Sequence, residues 1–208
     1  MINKTITTTN DPSNGYEAIA PEFMRWRGAS NIGVATVRSW ARALPRGAAV
    51  LDIGCGSGVP ISTTLSDEGC TVYGIDASAR LVAAHKSRLP DAHIACEAIE
   101  DSRFFDRTFD GVIAVGLLFL LPAEAQQNLI RKVAAALNPD GRFLFTSPAQ
   151  VCTWKDELTR QTSRSLGAEA YKAAFVIANL TLIGEYEDEG GNHYFDTRLS
   201  PASSLNAI

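Results

Sequence analysis

The sequence predicts an α/β fold in which a doubly wound, mostly parallel sheet is covered by helices on both faces. Three observations predict it. Short apolar runs alternate with helical patterns over residues 48–146, a glycine-rich loop follows the first run, and two strand-like runs near the end flank a glycine-containing turn. With 208 residues, of which 46% are hydrophobic and 20% charged, the chain has the size and composition of one globular domain, residues 1–208.

Residues 15–44 are predicted to form an N-terminal helical cap. Apolar residues recur at helical spacing from Tyr16 to Leu44, and the stretch Gly28 to Asn31 separates two helices. The preceding residues 1–14 are polar and rich in Thr and Asn, so no signal peptide is expected.

Residues 48–146 are predicted to form the core, with five strands and three helices in alternation. The helix after the second strand begins at Ser78, a residue type that caps helices well. The predicted strands are Ala48–Ile53, Thr71–Ile75, His93–Cys96, Phe109–Val115 and Arg142–Thr146, and the predicted helices end near Gly69, Leu89 and Leu137.

Residues 147–200 are predicted to hold a substrate-side helix and a C-terminal hairpin. The helix runs from Trp154 to Ala178, with a break near Gly167. The hairpin joins strands Thr181–Tyr186 and His193–Arg198 through a turn whose glycines can adopt positive φ.

The most informative segment is Asp52-Ile53-Gly54-Cys55-Gly56-Ser57-Gly58, which contains the end of the first strand and the loop that follows it. Its glycines let backbone N–H groups approach a ligand closely, and the next helix presents its positive end there. A nicotinamide fingerprint needs a third glycine or alanine where Val59 stands. Asp52 would also repel a pyrophosphate but favour a sulfonium or ammonium group. Asp76, at the end of the second strand, is suited to hold both hydroxyls of a ribose.

The segment from Val50 to Gly58 resembles motif I of class I S-adenosylmethionine (SAM) dependent methyltransferases, small-molecule type (methyltransferase type 11/12-like). Later segments resemble further motifs of that family in the expected order: 75–78, 97–101, 109–113 and 137–142. The resemblance implies a Rossmann-like, doubly wound, seven-stranded, mostly parallel sheet of order 3-2-1-4-5-7-6, with the last strand antiparallel. It also implies SAM as cofactor and S-adenosylhomocysteine (SAH) as product.

The resemblance further implies which residues hold the cofactor. Tyr16 and Arg27 could reach the methionyl carboxylate, although Tyr16 is equally explained as part of an apolar helix face, and Arg25 is a possible substitute for Arg27. The full expected set is Tyr16, Arg27, Asp52, Gly54, Cys55, Gly56, Gly58, Asp76, Ala77, Leu81, Ile99, Glu100 and Gly116.

The expected activity is methyl transfer from SAM to the O, N, S or C atom of a small molecule. His193, in the final hairpin, is the best candidate for a catalytic base, with a solvated surface turn as the alternative. Other possibilities are a SAM- or SAH-binding protein that does not methylate, a relative that uses a SAM derivative, and, with less support, a nicotinamide-dependent reductase.

Composition argues against several other classes. A net charge of −4 and a pI near 5.4 disfavour a nucleic-acid-binding face. The longest apolar stretch, Gly111 to Leu121, is too short to span a bilayer. The four cysteines show no metal-ligand spacing and indicate reduced thiols in the cytoplasm. We expect no bound metal, and a monomer or a homodimer.

Overall fold

The computed structural model describes residues 11–201, so most of the polar segment 1–14 lies outside the described residues. The cap consists of two helices, as predicted, and strands then alternate with helices up to β5. The elements are α1 (Tyr16–Gly28), α2 (Val34–Arg42), β1 (Ala49–Ile53), α3 (Ile61–Asp67), β2 (Thr71–Asp76), α4 (Ala79–Arg88), β3 (His93–Cys96), β4 (Phe109–Ala114), α5 (Ala123–Ala135), β5 (Leu137–Thr146), β6 (Cys152–Lys155), β7 (Thr162–Ser165), α6 (Ala168–Ile177), β8 (Leu180–Glu187) and β9 (His193–Leu199).

Seven of these strands form one sheet of order β3-β2-β1-β4-β5-β9-β8. The pairs from β3 to β5 are parallel, and β9 runs antiparallel to both of its neighbours. Once β6 and β7, which pair only with each other, are set aside, this is the predicted order with the last strand antiparallel. The predicted Rossmann-like sheet is confirmed.

Each face of the sheet buries a separate apolar cluster, which is why the central strands are apolar at most positions. Leu51 of β1 packs on the face covered by α5 and α6, whereas Val50 packs on the face covered by α2 and α3. Phe195 and Tyr194 of β9 divide between the two faces in the same way. This alternation determines the side of the sheet on which each candidate site residue lies.

The helix predicted from Trp154 to Ala178 is wrong over its first half. Residues 152–165 form the hairpin β6–β7, and only α6 is helical. The carboxylate Oδ1 of Asp156 accepts hydrogen bonds from the backbone N–H groups of Leu158 (3.0 Å) and Thr159 (2.7 Å), and so fixes a turn. Such side-chain bonds to the backbone compete with helix formation. Gly167, with φ +82°, precedes α6 instead of interrupting it.

Strand β5 begins five residues earlier than predicted, at Leu137 and not at Arg142. Residues 139–141, a Pro-Asp-Gly sequence typical of a tight turn, form an irregularity within the strand, with Asp140 at φ +62° and a register shift on the β4 side. Pairing between Phe109 and Leu137 extends the strand to the N-terminal side of Pro139.

Candidate functional site

The glycine loop, defined as residues 54–58, leaves the carboxyl end of β1 and leads to α3. Gly54, Gly56 and Gly58 have φ values of +71°, +52° and +83°, in the left-handed region that favours glycine. A Cβ on Gly54 would lie only 3.1 Å from the side chain of Leu117. The loop therefore needs glycine for both its conformation and its close contacts.

Asp76 lies at the end of the neighbouring strand and binds the glycine loop directly. Its Oδ2 accepts the N–H of Gly56 (2.9 Å), and its Oδ1 accepts the N–H of Ser78 (2.8 Å). These two bonds orient the carboxylate and leave each oxygen free to accept another hydrogen bond. Burial raises the pKa of Asp76, and the two backbone donors oppose that rise. The carboxylate is thus fixed in a geometry suited to two adjacent hydroxyl groups.

Asp52 is the second acid of the site and is only 2% exposed. Its Oδ2 accepts a hydrogen bond from the hydroxyl of Ser62 on α3 (2.5 Å). Burial raises the pKa of Asp52 to about 7, while the Ser62 hydroxyl and the charge of Arg27 act in the opposite direction. A carboxyl group with such a pKa ionises readily when a cationic ligand approaches.

Helix α1 covers the loop. A Cβ on Gly56 would lie 3.4 Å from the ring of Phe23. The carboxylate of Glu17 accepts hydrogen bonds from the hydroxyl of Ser78 (2.6 Å) and the N–H of Arg80 (3.1 Å), which joins α1 to the start of α4. Helix α1 therefore packs on the glycine loop and on the start of α4.

Tyr16 and Arg27, both predicted to bind the cofactor, lie near the acids. The hydroxyl of Tyr16 donates to Oδ2 of Asp156 in the β6–β7 hairpin (3.2 Å), and burial and that carboxylate raise its pKa. Arg27 is half-buried; burial lowers its pKa, and the nearby Tyr194, Asp188 and Asp52 act in the opposite direction. Arg25, the possible substitute, is exposed.

The other predicted cofactor residues lie around the ends of the same strands. Leu81 is 2% exposed on the first turn of α4, and half-buried Ala77 precedes that helix. The thiol of Cys55 is buried, and its side chain packs beside Val82 and Ile94, so this residue contributes its backbone to the glycine loop and its side chain to the core. Burial raises the thiol pKa.

Two further positions lie after β3 and β4. Half-buried Ile99 and exposed Glu100 are held by Lys132, whose Nζ donates to their carbonyl oxygens (2.8 and 3.2 Å). Gly116, at φ +76°, donates its N–H to the hydroxyl of Thr146 (2.8 Å).

His193 lies at the carboxyl end of β5, but its side chain is on the opposite face of the sheet from Asp52. Its ring contacts Phe195 with centroids 4.7 Å apart, and Nε2 lies 3.1 Å from the carboxylate of Glu185 without hydrogen-bond alignment. Tyr194 faces the other way, toward the cluster that contains Val50. The structure therefore does not bring the imidazole together with the two acids.

The sequence did not indicate the contacts that Glu17 and Asp156 make in organising the site. Their partners Ser78 and Tyr16 are 61 and 140 residues away in the sequence, so no local spacing indicates these contacts. Only the turn at Asp156 carries a local signal, because an Asp side chain favours a turn in which it accepts hydrogen bonds from backbone N–H groups two and three residues later.

Comparison with known proteins agrees with this geometry. Residues 50–141 match a family model described as a methyltransferase domain, and that segment contains the glycine loop and both acids. The predicted resemblance to a methyltransferase domain is confirmed over these residues. An uncharacterised methyltransferase from Synechocystis is 33% identical over 113 residues, which are 54% of this chain and 52% of the relative.

Two further proteins extend the comparison. A ubiquinone biosynthesis O-methyltransferase from Coxiella burnetii is 30% identical over 106 residues, 49% of this chain and 44% of that protein. The chain thus spans about half the length of the curated relatives it matches. The structure of magnesium protoporphyrin IX methyltransferase from Synechocystis with bound SAM superimposes with a TM-score of 0.66 at 16% identity, covering 88% of this chain and 97% of the other. This likeness establishes the fold.

Proposed function

We propose that this chain transfers a methyl group from SAM to a small-molecule acceptor. The observation that carries the proposal is the glycine loop joined to the oriented carboxylate of Asp76, with the buried Asp52 at its base. Two acids placed in this way suit a ligand with a ribose diol and a positive charge, and they disfavour a dinucleotide pyrophosphate. The methyltransferase-domain match over the same residues supports this choice.

In the proposed reaction SAM supplies an activated methyl group, and the protein contributes chiefly alignment and exclusion of water. A lone pair of the acceptor forms the new bond to the methyl carbon as the bond from carbon to sulfur breaks, which leaves neutral SAH. Asp76 holds the ribose, the loop N–H groups hold the nucleoside, and Arg27 is placed to pair with the carboxylate. Helix α1 covers the loop and shields it from water.

The acceptor is proposed to enter beside the carboxyl ends of β4 and β5. Leu117 contacts the glycine loop there, and the ring of Phe119 packs on Trp154 of the β6–β7 hairpin with centroids 5.2 Å apart. These side chains favour an acceptor with an apolar portion. A base is needed only if the acceptor must lose a proton. His193 remains a prediction for that role, and the position of its side chain on the opposite face of the sheet argues against direct contact with Asp52.

Calorimetric titration of the purified chain with SAM, SAH and NADH tests the proposal. We expect SAM and SAH to bind and NADH not to bind. Asp76→Asn should weaken SAH binding by at least about tenfold, because one charge-assisted acceptor is lost. The exposed Asp140→Asn, which removes one carboxylate elsewhere, serves as a matched control and should leave binding unchanged.

Binding of NADH alone would contradict the proposal in favour of a reductase. Binding of SAM and SAH without SAH formation from SAM against a panel of small acceptors would favour a SAM-binding protein that does not methylate.

The proposal includes one domain, a small-molecule partner and a monomer or homodimer in the cytoplasm. Four free thiols, at Cys55, Cys70, Cys96 and Cys152, support a reducing compartment. Within residues 11–201, none of the helices is both long enough and apolar enough to cross a membrane.

A further inference from the structure

Two side chains of α4, those of His85 and Arg88, contact the glycine loop but have no part in the proposed reaction. The imidazole of His85 is fully buried, and a Cβ on Gly58 would lie 3.1 Å from its Nε2. One turn later, Nη1 of Arg88 donates to the carbonyl of Ser57 (2.6 Å). Together they fix the half of the loop that leads into α3.

The side chain of His85 carries two polar nitrogen atoms, which a purely packing role would not require. Both ring nitrogens are buried, and neither has a hydrogen-bond partner among the described residues. Leaving a buried donor unpaired costs stability, so an apolar ring would serve a packing role better. The carbonyl of Gly56 lies close enough to favour the protonated ring, although the present geometry falls short of a hydrogen bond.

The charge state of this imidazole is defined by its surroundings. Burial lowers the pKa of His85 to about 4, and the nearby guanidinium of Arg88 acts in the same direction. The ring is therefore neutral at physiological pH and carries one N–H donor and one acceptor, and its Nε2 edge faces Gly58 of the loop.

We propose that His85 is a positioning residue for the cofactor: its neutral ring supports Gly58, and its N–H donates to the carbonyl of Gly56 once a bound nucleoside draws the loop inward. The proposal rests on SAM binding as argued above. His85 acts through the loop and does not itself contact the ligand, so it affects affinity by stabilising the bound loop conformation.

The test compares SAH affinity, by calorimetry well below the melting temperature, in the wild type and three variants. His85→Phe keeps a planar ring but removes the donor, and we expect SAH to bind about fivefold to tenfold more weakly. His85→Gln keeps an N–H donor and should recover part of that loss. Val133→Ala removes buried volume from α5 in a different cluster, so it should lower the melting temperature without changing SAH affinity.

A second measurement needs no variant. The ¹⁵N resonances of the His85 ring in the wild type should shift when SAH is added, because the N–H gains a carbonyl partner. This readout stands even if a His85 variant fails to fold.

The outcomes separate the two proposals. Failure of the wild type to bind SAH would refute the proposed function itself. Normal binding by the wild type and by all three variants, or unchanged ring ¹⁵N resonances, would overturn the role of His85 and leave the proposed function intact.

Discussion

Asp52 is expected to make the ligand-free protein less stable at neutral pH than it is in mild acid. In the unfolded chain this carboxyl group has an ordinary pKa of 3.8, but in the folded protein its pKa is about 7. Between these values the folded state binds the proton more tightly than the unfolded state does. The stability that the protonated group contributes is therefore fully present below the lower pKa, and it is lost as the pH rises through the upper pKa.

The size of the effect follows from the pKa difference. Each unit of pKa is about 1.4 kcal/mol, so ionised Asp52 costs about 4 kcal/mol of unfolding free energy at pH 8. Asp52→Asn removes the charge at every pH and keeps an oxygen that can accept the Ser62 hydroxyl. The variant should be more stable than the wild type, and its advantage should widen by about 2 to 3 kcal/mol between pH 5 and pH 8.

Urea unfolding of both proteins across this pH range measures the difference. Asp140→Asn is the matched control, because its carboxylate is exposed and asparagine tolerates the positive φ of that position. The control should show no comparable pH dependence. A stability difference for Asp52→Asn that does not change with pH, or a variant less stable than the wild type at pH 8, would refute this account.

Three further outcomes are expected. Asp196 is fully buried and paired with Arg142. Asp196→Ala should lower the free energy of unfolding, measured in urea, by about 3 to 5 kcal/mol because it leaves that cation unpaired. A loss below about 1 kcal/mol would contradict the importance of the pair. Gly58 has a positive φ, and a Cβ added there would lie 3.1 Å from the imidazole of His85, so Gly58→Ala should abolish SAH binding. It should also lower the free energy of unfolding more than Gly47→Ala does, because Gly47 has a positive φ but open space around it. Equal effects of the two substitutions would show that the contact with His85 is unimportant. His193→Ala should keep SAH affinity because its ring lies on the opposite face of the sheet, and a severalfold loss of affinity would place it in the site.

Much of the fold could be predicted because its determinants are local. The glycines of the loop and the alternation of apolar strands with helices are visible in short windows of sequence, and they predicted the mostly parallel sheet. The observed strand order was implied by the family resemblance that the motifs carry. The error at Trp154 has a physical cause. Four-residue strands such as β6 and β7 carry too few residues to distinguish strand from helix by periodicity, and pairing with each other decided their conformation.

The sequence by itself determined the class of the fold, the position of the loop and the identity of its two acids, because glycine at positive φ and an acid at a strand end depend on neighbours along the chain. Only the tertiary structure decided which groups surround them. Burial gives Asp52 its raised pKa, the packing of α1 places Glu17 beside Ser78, and strand alternation turns His193 away from the acids. Such properties depend on residues far apart in the sequence, whose contacts arise only when the sheet and its helices have assembled.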